Sequence, residues 1–330
     1  MNLRNLPKIE LHRHLELSVR HSTIKALAPK IGLKADTDEE FAKNFLITEP
    51  MKDLGSVLNK FLDTQKLFYT EDIIEQITYE ICEDAYNEGI KILELRYAPT
   101  FLVMGHDKIN FEQAHLAVVR GMKRAEKDFN MAVGLLCIIQ RISPLDVAES
   151  VTDFAIEHKD TFIGLDLADN EEGFDSKPFS SFFMRAKKAG LGITVHAGES
   201  DVPNAPRYIL EAIEHLGATR IGHGVQCYRD ESVIKHLVDN KIPLELCPTS
   251  NWLTGAIKDK DNHPFKTLMD KGVLTTISSD DPGIFNLDLT HEYELLQNKY
   301  GLTEKDFEHC NKIAFEHSFI SMDKKKAVWK

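Results

Sequence analysis

Asp280 and Asp281 stand side by side in Ile277-Ser278-Ser279-Asp280-Asp281-Pro282, and three other short segments supply the groups that would give them work. His12 and His14 form an His-x-His. His196 and Glu199 lie in Val195-His196-Ala197-Gly198-Glu199, and His223 lies in Arg220-Ile221-Gly222-His223-Gly224. Neutral imidazole and carboxylate are good ligands for Zn2+, and the same side chains move protons. Together they make the inventory of a catalytic zinc centre with its own proton-transfer groups. Four ligands, His12, His14, His196 and Asp280, would leave room for a water whose pKa the ion lowers toward neutrality. Iron and manganese suit the same donors. Each segment alone is a weak signal, and Asp-Asp-Pro is commonly a turn or a helix cap. The reading is carried by all of them falling in or at the end of short apolar runs.

Those runs are the elements that must position the site. Eight recur: Lys8 to His14, Ile90 to Ala98, Met131 to Ile139, Phe162 to Ala168, Gly192 to Glu199, Arg220 to Val225, Pro243 to Pro248 and Val273 to Asp281. Most are nearly continuous in apolar character, as parallel strands buried on both faces are. Stretches with helical periodicity lie between them, among them Phe111 to Phe129, Pro178 to Lys188 and Pro206 to Leu216. Gly190, Gly217, Asn240 and Gly272 are expected to end helices in left-handed geometry. Strand then helix, eight times over, predicts an α/β fold of the (β/α)8 TIM-barrel type. An open doubly wound sheet fits less well, because no Gly-x-Gly-x-x-Gly turn follows the first run. Reactive groups of such barrels gather at the C-terminal strand ends, and alternation along a strand lets His12 and His14 face one ion together.

The connection from Leu15 to Gly89 is far longer than a βα loop. Thr70-Glu71-Asp72 reads as the start of a helix that Gly89 ends, and Asp53 to Phe68 reads as another. Residues 1–330 therefore read as one metal-dependent hydrolase barrel domain, with 15–70 as a helical lid insertion after strand 1. Lys324-Lys325-Lys326 reads as a solvated helix end. His115, His158, His215 and His236 fall on helical stretches and read as surface or packing residues.

Composition is that of a globular chain, 42% apolar and 28% charged. A net charge of −12 argues against nucleic acid as a partner. The five cysteines are odd in number and lack a C-x-x-C spacing, which fits a reducing compartment. With neither a signal-peptide stretch nor a run long enough to cross a bilayer, a cytoplasmic protein without membrane contact is expected.

Leu6-Pro7-Lys8-Ile9-Glu10-Leu11-His12-x-His14-Leu15-Glu16, Val195-His196-Ala197-Gly198-Glu199, Arg220-Ile221-Gly222-His223-Gly224-Val225, Leu246-Cys247-Pro248-Thr249-Ser250-Asn251 and Ser279-Asp280-Asp281-Pro282 together resemble the adenosine deaminase family, in order and over nearly the whole chain. The resemblance implies a zinc-bearing barrel of the amidohydrolase superfamily that releases ammonia from C6 of an aminopurine, with a small purine nucleoside or base as its partner. It implies that His12, His14, His196 and Asp280 hold one zinc per chain. Asp280 and His223 would orient and deprotonate the attacking water. Glu199 would protonate ring N1, which requires a carboxyl whose pKa burial has raised. Asp281 would bind N7 and, if protonated, donate to it. The strand-four motif, Gly164 to Glu171 here, would bring a backbone N–H near N3.

Three positions depart from the family pattern. Glu16 stands where an aspartate usually contacts ribose hydroxyls, Leu17 replaces a glycine, and Asp169 replaces the strand-four glycine. Glu16 also occurs in relatives acting on free adenine. Those relatives carry an aspartate before the strand-six His-Gly, where this chain has Gly222. A nucleoside altered at C5′, such as 5′-methylthioadenosine or 6-amino-6-deoxyfutalosine, is the substrate these changes suggest. The rival readings are an adenine deaminase, a binuclear amidohydrolase with Asp166 as its only strand-four acid, and a purine-binding barrel without turnover. A zinc deaminase of the cytidine type is set aside, because Cys247-Pro248 has the reverse order and no second cysteine.

Overall fold

The computed structural model describes residues 2–51 and 54–329. Eight strands form: β1 (Lys8–His14), β2 (Ile90–Tyr97), β3 (Ala132–Gln140), β4 (Phe162–Ala168), β5 (Gly192–Ala197), β6 (Arg220–His223), β7 (Leu244–Leu246) and β8 (Thr275–Ile277). Each pairs in parallel with the next, in chain order. Every one lies within or beside an apolar run of the sequence. The chain beyond β8 then reaches β1. Asp280 bridges Arg13, its carbonyl accepts from His14 N–H at 3.0 Å, and its N–H donates to the His12 carbonyl at 3.0 Å. With helices between the strands, the result is a nearly closed (β/α)8 TIM barrel.

Period-two alternation sorts the strand residues. Leu93, Leu95, Ile193, Val195, Ile221, Leu244 and Leu246 join the large apolar core. Glu94, Arg96, Thr194, Arg220 and Glu245 point to the other face and find one another. Arg96 pairs with Asp166 at 2.8 Å and Glu245 at 2.7 Å, and Arg220 pairs with Glu94 and Glu245 at 2.6 Å, all fully buried. Removing one partner from such a pair typically costs about 3–5 kcal/mol, because an uncompensated charge stays behind. At the opposite end from the site, Phe319 fills the space under β4 and β5. A Cβ at Gly192 would lie 2.4 Å from its ring, so only glycine fits there.

The long β1–β2 connection holds α1 (His21–Leu27), α2 (Asp38–Phe45) and α3 (Leu54–Gln65), and then α4 (Glu71–Asn87). Asp53, the expected first residue of the third helix, lies outside the described residues. Thr37 caps α2 and Thr70 caps α4, each accepting an orphan N–H. Between α2 and α3, Ile47 N–H bonds the Ile284 carbonyl and Met51 N–H bonds the Leu253 carbonyl, both at 2.8 Å. Ile47, Met51 and Phe61 pack there with Leu17, Trp252, Leu253, Ile284 and Phe285. The insertion is thus fastened to the β1, β7 and β8 loops.

Two expectations fail. The left-handed residue ending the helix Glu231–Asn240 is Lys241, with φ of 53°, not Asn240. Asn240 stays in the last turn, where its side-chain amide donates to the His236 carbonyl at 2.9 Å. Lys325 is not solvated. It is buried, and its ammonium donates to the carbonyls of Phe315 and Ser318, orphaned at the end of the preceding helix. His115 does pack: buried, it lies 2.6 Å from Tyr97 OH and 2.7 Å from Thr161 Oγ1.

Candidate metal and proton-transfer site

His12 and His14 leave the end of β1, His196 leaves β5, and Asp280 lies in the segment that β8 sends back to β1. Their ligand atoms lie within 4.8 Å of one another. Asp280 Oδ1 is 3.1 Å from His12 Nε2 and 3.3 Å from His14 Nε2, and the Nε2 atoms of His14 and His196 are 3.2 Å apart. The outer nitrogens are engaged. His12 Nδ1 lies 2.8 Å from Glu245 and His196 Nδ1 lies 3.0 Å from Asp166. Carboxylates only accept, so both Nδ1 atoms carry protons and both Nε2 lone pairs turn inward. His12 Nε2 is left buried without a hydrogen-bond partner, facing a carboxylate oxygen. Two acceptors at that distance call for a cation between them. Burial alone lowers the His12 imidazole, yet Asp280 and Glu245 lift it to about 9, so the site seeks one positive charge. A Cβ at Gly222 would stand 3.1 Å from His12 and 3.2 Å from His196, so glycine leaves the two rings room. These donors fit a divalent metal.

A second grouping, His12, His223, Cys247 and Asp280, shares two of these residues. Burial pushes the Cys247 thiol well up, and its Sγ donates to the Glu245 carbonyl at 3.6 Å. A protonated thiol is a poor ligand, so the first group is the better cage.

Around the cage stand groups that can carry protons. Burial, then the Asp280 charge, raises the Glu199 carboxyl to about 7, although 26% of its side chain faces the opening. Burial and the neighbouring Asp280 hold Asp281 well above the carboxylate range, and its Oδ1 has no partner. Asp280 itself, which burial would raise, is held well below that range by His12 and His14. Ser250 Oγ donates to Asp280 Oδ2 at 2.6 Å. His223 Nε2 lies 3.6 Å from Glu199 Oε2 and 3.9 Å from Asp280 Oδ2. Alternation would turn His223 outward with Ile221. A left-handed φ of 57° returns it to the site, and Asp280 has φ of 64°. Each such backbone costs about 1–3 kcal/mol, and strain of that kind gathers at functional sites. A neutral acid, a charged acid and an imidazole beside one cation suit the attack of water on an unsaturated carbon while a neighbouring ring atom is protonated.

The sugar-side candidates are less tightly drawn together. Glu16 is buried, raised to about 7 by burial, and accepts from Ala98 N–H at 2.7 Å. Leu17 is half-buried in the cluster beneath the insertion. Asp169 is exposed, with φ of 84°, and its Oδ2 accepts from Gln140 Nε2 at 3.1 Å. The backbone therefore keeps a glycine-like geometry in spite of the side chain.

Sequence reasoning missed the supports. Glu171 is buried, and its carboxylate accepts from the N–H groups of Gly198, Glu199 and Ser200, so it fixes the loop that carries Glu199. Glu245 gathers His12, Arg96, Arg220 and Thr194. For Glu245 the available signal was an acid inside an apolar strand, which needs partners to be buried. Asp166, weighed as a metal ligand in the binuclear reading, is taken by Arg96 and His196.

The family model described as adenosine deaminase matches residues 7–330. An adenosine deaminase from Shewanella loihica is 34% identical over 327 residues, covering 98% of each chain. Among solved structures, the adenine deaminase of Arthrobacter aurescens superposes with a TM-score of 0.87 at 27% identity, covering 98% of this chain and 96% of that one. An amidohydrolase from Burkholderia ambifaria with bound zinc also gives 0.87, at 25% identity, over 98% of this chain and 89% of that one.

Proposed function

Because this chain belongs to the adenosine deaminase family, whose members are hydrolases acting on C–N bonds, we propose that it releases the 6-amino group of a purine nucleoside as ammonia, with one zinc per chain. The observation that carries the reading is a protonatable Glu199 beside a His12–His14–His196–Asp280 cage that seeks one cation. When bound, the metal supplies the Lewis acidity that makes water a nucleophile near neutral pH.

The chain's own groups do the rest. Glu199 gives its proton to ring N1 as the water oxygen bonds to C6, so charge does not build on the purine. Protonated Asp281 donates to N7. Asp280 takes the proton that the water sheds, and His223 holds that water toward C6. The C6–N bond then breaks, and ammonia leaves with the proton from Asp280. As the carbonyl forms, the hydroxyl proton returns to Glu199.

At the sugar end, Glu16, Leu17 and Asp169 would select a 5′-modified adenosine, such as 5′-methylthioadenosine or 6-amino-6-deoxyfutalosine, over adenosine. An adenine deaminase is disfavoured by Gly222, where the relatives acting on free adenine carry an aspartate. A silent binder would not need strained His223 or a raised Glu199. The binuclear reading loses its bridging acid, because Asp166 is already paired. Residues 1–330 act as one domain, with 15–70 as the lid, a reading supported by the main-chain bonds of Ile47 and Met51. Among the described residues no helix is long and apolar enough to cross a membrane. Five free, buried cysteines accord with a reducing cytoplasm.

Ammonia release and ultraviolet change should be followed with zinc-loaded protein against adenosine, 2′-deoxyadenosine, adenine and both 5′-modified compounds. Turnover of a 5′-modified compound above adenosine is expected. Preference for plain adenosine would remove the sugar-side assignment, and silence across the panel would remove the reaction.

A further inference from the structure

A chain of buried hydrogen bonds runs into the site from the segment between β7 and β8. It begins at Phe265 N–H, which donates to His263 Nδ1 at 3.1 Å. A backbone N–H can only donate, so that nitrogen is bare. Burial lowers the His263 imidazole to about 3, so the ring is neutral and its single proton sits on Nε2. Nε2 lies 3.1 Å from Asn251 Oδ1, which accepts it. The two ends of an asparagine amide look alike by shape, but here the backbone donor at the far end sets which way round it stands. Asn251 Nδ2 then donates at 3.1 Å to His223 Nδ1. Asn251 is fully buried and His263 nearly so.

We infer that Asn251 and His263 are positioning residues that lock the proton of His223 on Nε2, making His223 a hydrogen-bond donor into the site and leaving Asp280 to take the water's proton. This departs from the expectation that His223 shares the deprotonation. Nε2 is the nitrogen that faces Glu199 and Asp280, and a nitrogen already carrying a proton cannot accept another. A doubly protonated ring is disfavoured too, because its Nδ1–H would meet the Asn251 N–H head on. What His223 donates to rests on the deaminase reading; where its proton sits does not.

The test reads the proton directly. Zinc-loaded full-length protein labelled with nitrogen-15 histidine is examined by two-bond proton–nitrogen correlation, with His223 assigned from His223→Gln. The expected pattern is a protonated-type Nε2 and a bare-type Nδ1. A bare Nε2, or two protonated nitrogens, would overturn the inference, whatever the substrate panel returns. Asn251→Asp replaces the donor with an acceptor and should draw a proton onto Nδ1. It should lower kcat by about 10- to 100-fold with KM and bound zinc nearly unchanged, the scale seen when a group that orients a site residue is lost. An unchanged His223 pattern and kcat in that variant would also sink the assignment. His263→Gln, which can still donate to Asn251, should keep the wild-type pattern.

Discussion

The two sides of the barrel mouth are built by different rules. On the side of β1, β5, β6 and β8, His12, His196, Asp280 and His223 are buried and held by further buried groups, and two of the four sit on strained backbone. On the side of β2 to β4, Asp169 is exposed and its side chain leans on Gln140; Leu17, in the loop after β1, lies half-buried at the rim among residues of the insertion and of the β7 and β8 loops. The first side over-determines each atom, and the second leaves side chains that can change without disturbing a strand. On the proposed assignment, chemistry is thereby separated from recognition of the sugar end, as expected where a rigid scaffold carries variable loops.

Metal removal should expose the contrast most sharply. Chelation is expected to abolish turnover and lower the melting temperature, because a ligand bound only by the folded state stabilises it. Added zinc should restore both. Turnover that survives complete chelation, checked by metal analysis, would break the comparison. Next in size, Glu199→Gln should lower kcat by about 10²- to 10⁴-fold, the usual worth of a positioned acid, with zinc content intact. In the wild type the acid must be protonated, and its raised pKa lies at about 7. The profile of kcat/KM against pH should therefore be level below that value and fall above it. A profile that instead rises through pH 7 would show that Glu199 works as a base.

Glu171→Gln tests a support on the chemical side. Its amide can accept from at most two of the three N–H groups that the carboxylate holds, so kcat should fall by about 10- to 100-fold while zinc stays bound. The smallest effect is expected at the rim of the mouth. Leu17→Gly should alter the ratio of adenosine to 5′-methylthioadenosine turnover by about 1–3 kcal/mol, the worth of a small change in an apolar pocket. Equal losses on both substrates, measured as kcat/KM, would mean that Leu17 serves the barrel and not selectivity.

The same division decided what could be read without a structure. Strands were visible because apolar runs mark elements buried on both sides, and the candidate metal and acid–base groups stood out because each lies at or near a strand end. Asn251 and His263 were not, since their role depends on which nitrogen meets which oxygen. Glu171 entered only as the last residue of the strand-four motif, although it collects three N–H groups from another loop. Lys241 ends a helix where Asn240 was expected, because a left-handed position favours but does not require Asn or Gly. Lys325 read as surface because the carbonyls it caps lie on a different helix. For Asn251 and Glu171 the deciding partners lie on other elements of the chain.

The bonds between Asp280 and β1 also bear on how the protein comes into being. His12 and His14 are made first, and the residue that completes their cage is among the last of the barrel to be synthesised. Until the segment after β8 reaches β1, a nascent chain holds three imidazoles without the carboxylate that balances the ion. Capture of a metal by this cage would therefore belong to the finished barrel and coincide with ring closure, a contact between residues far apart in the sequence. The appearance of a bound divalent metal would mark the moment at which the two ends of the barrel have met.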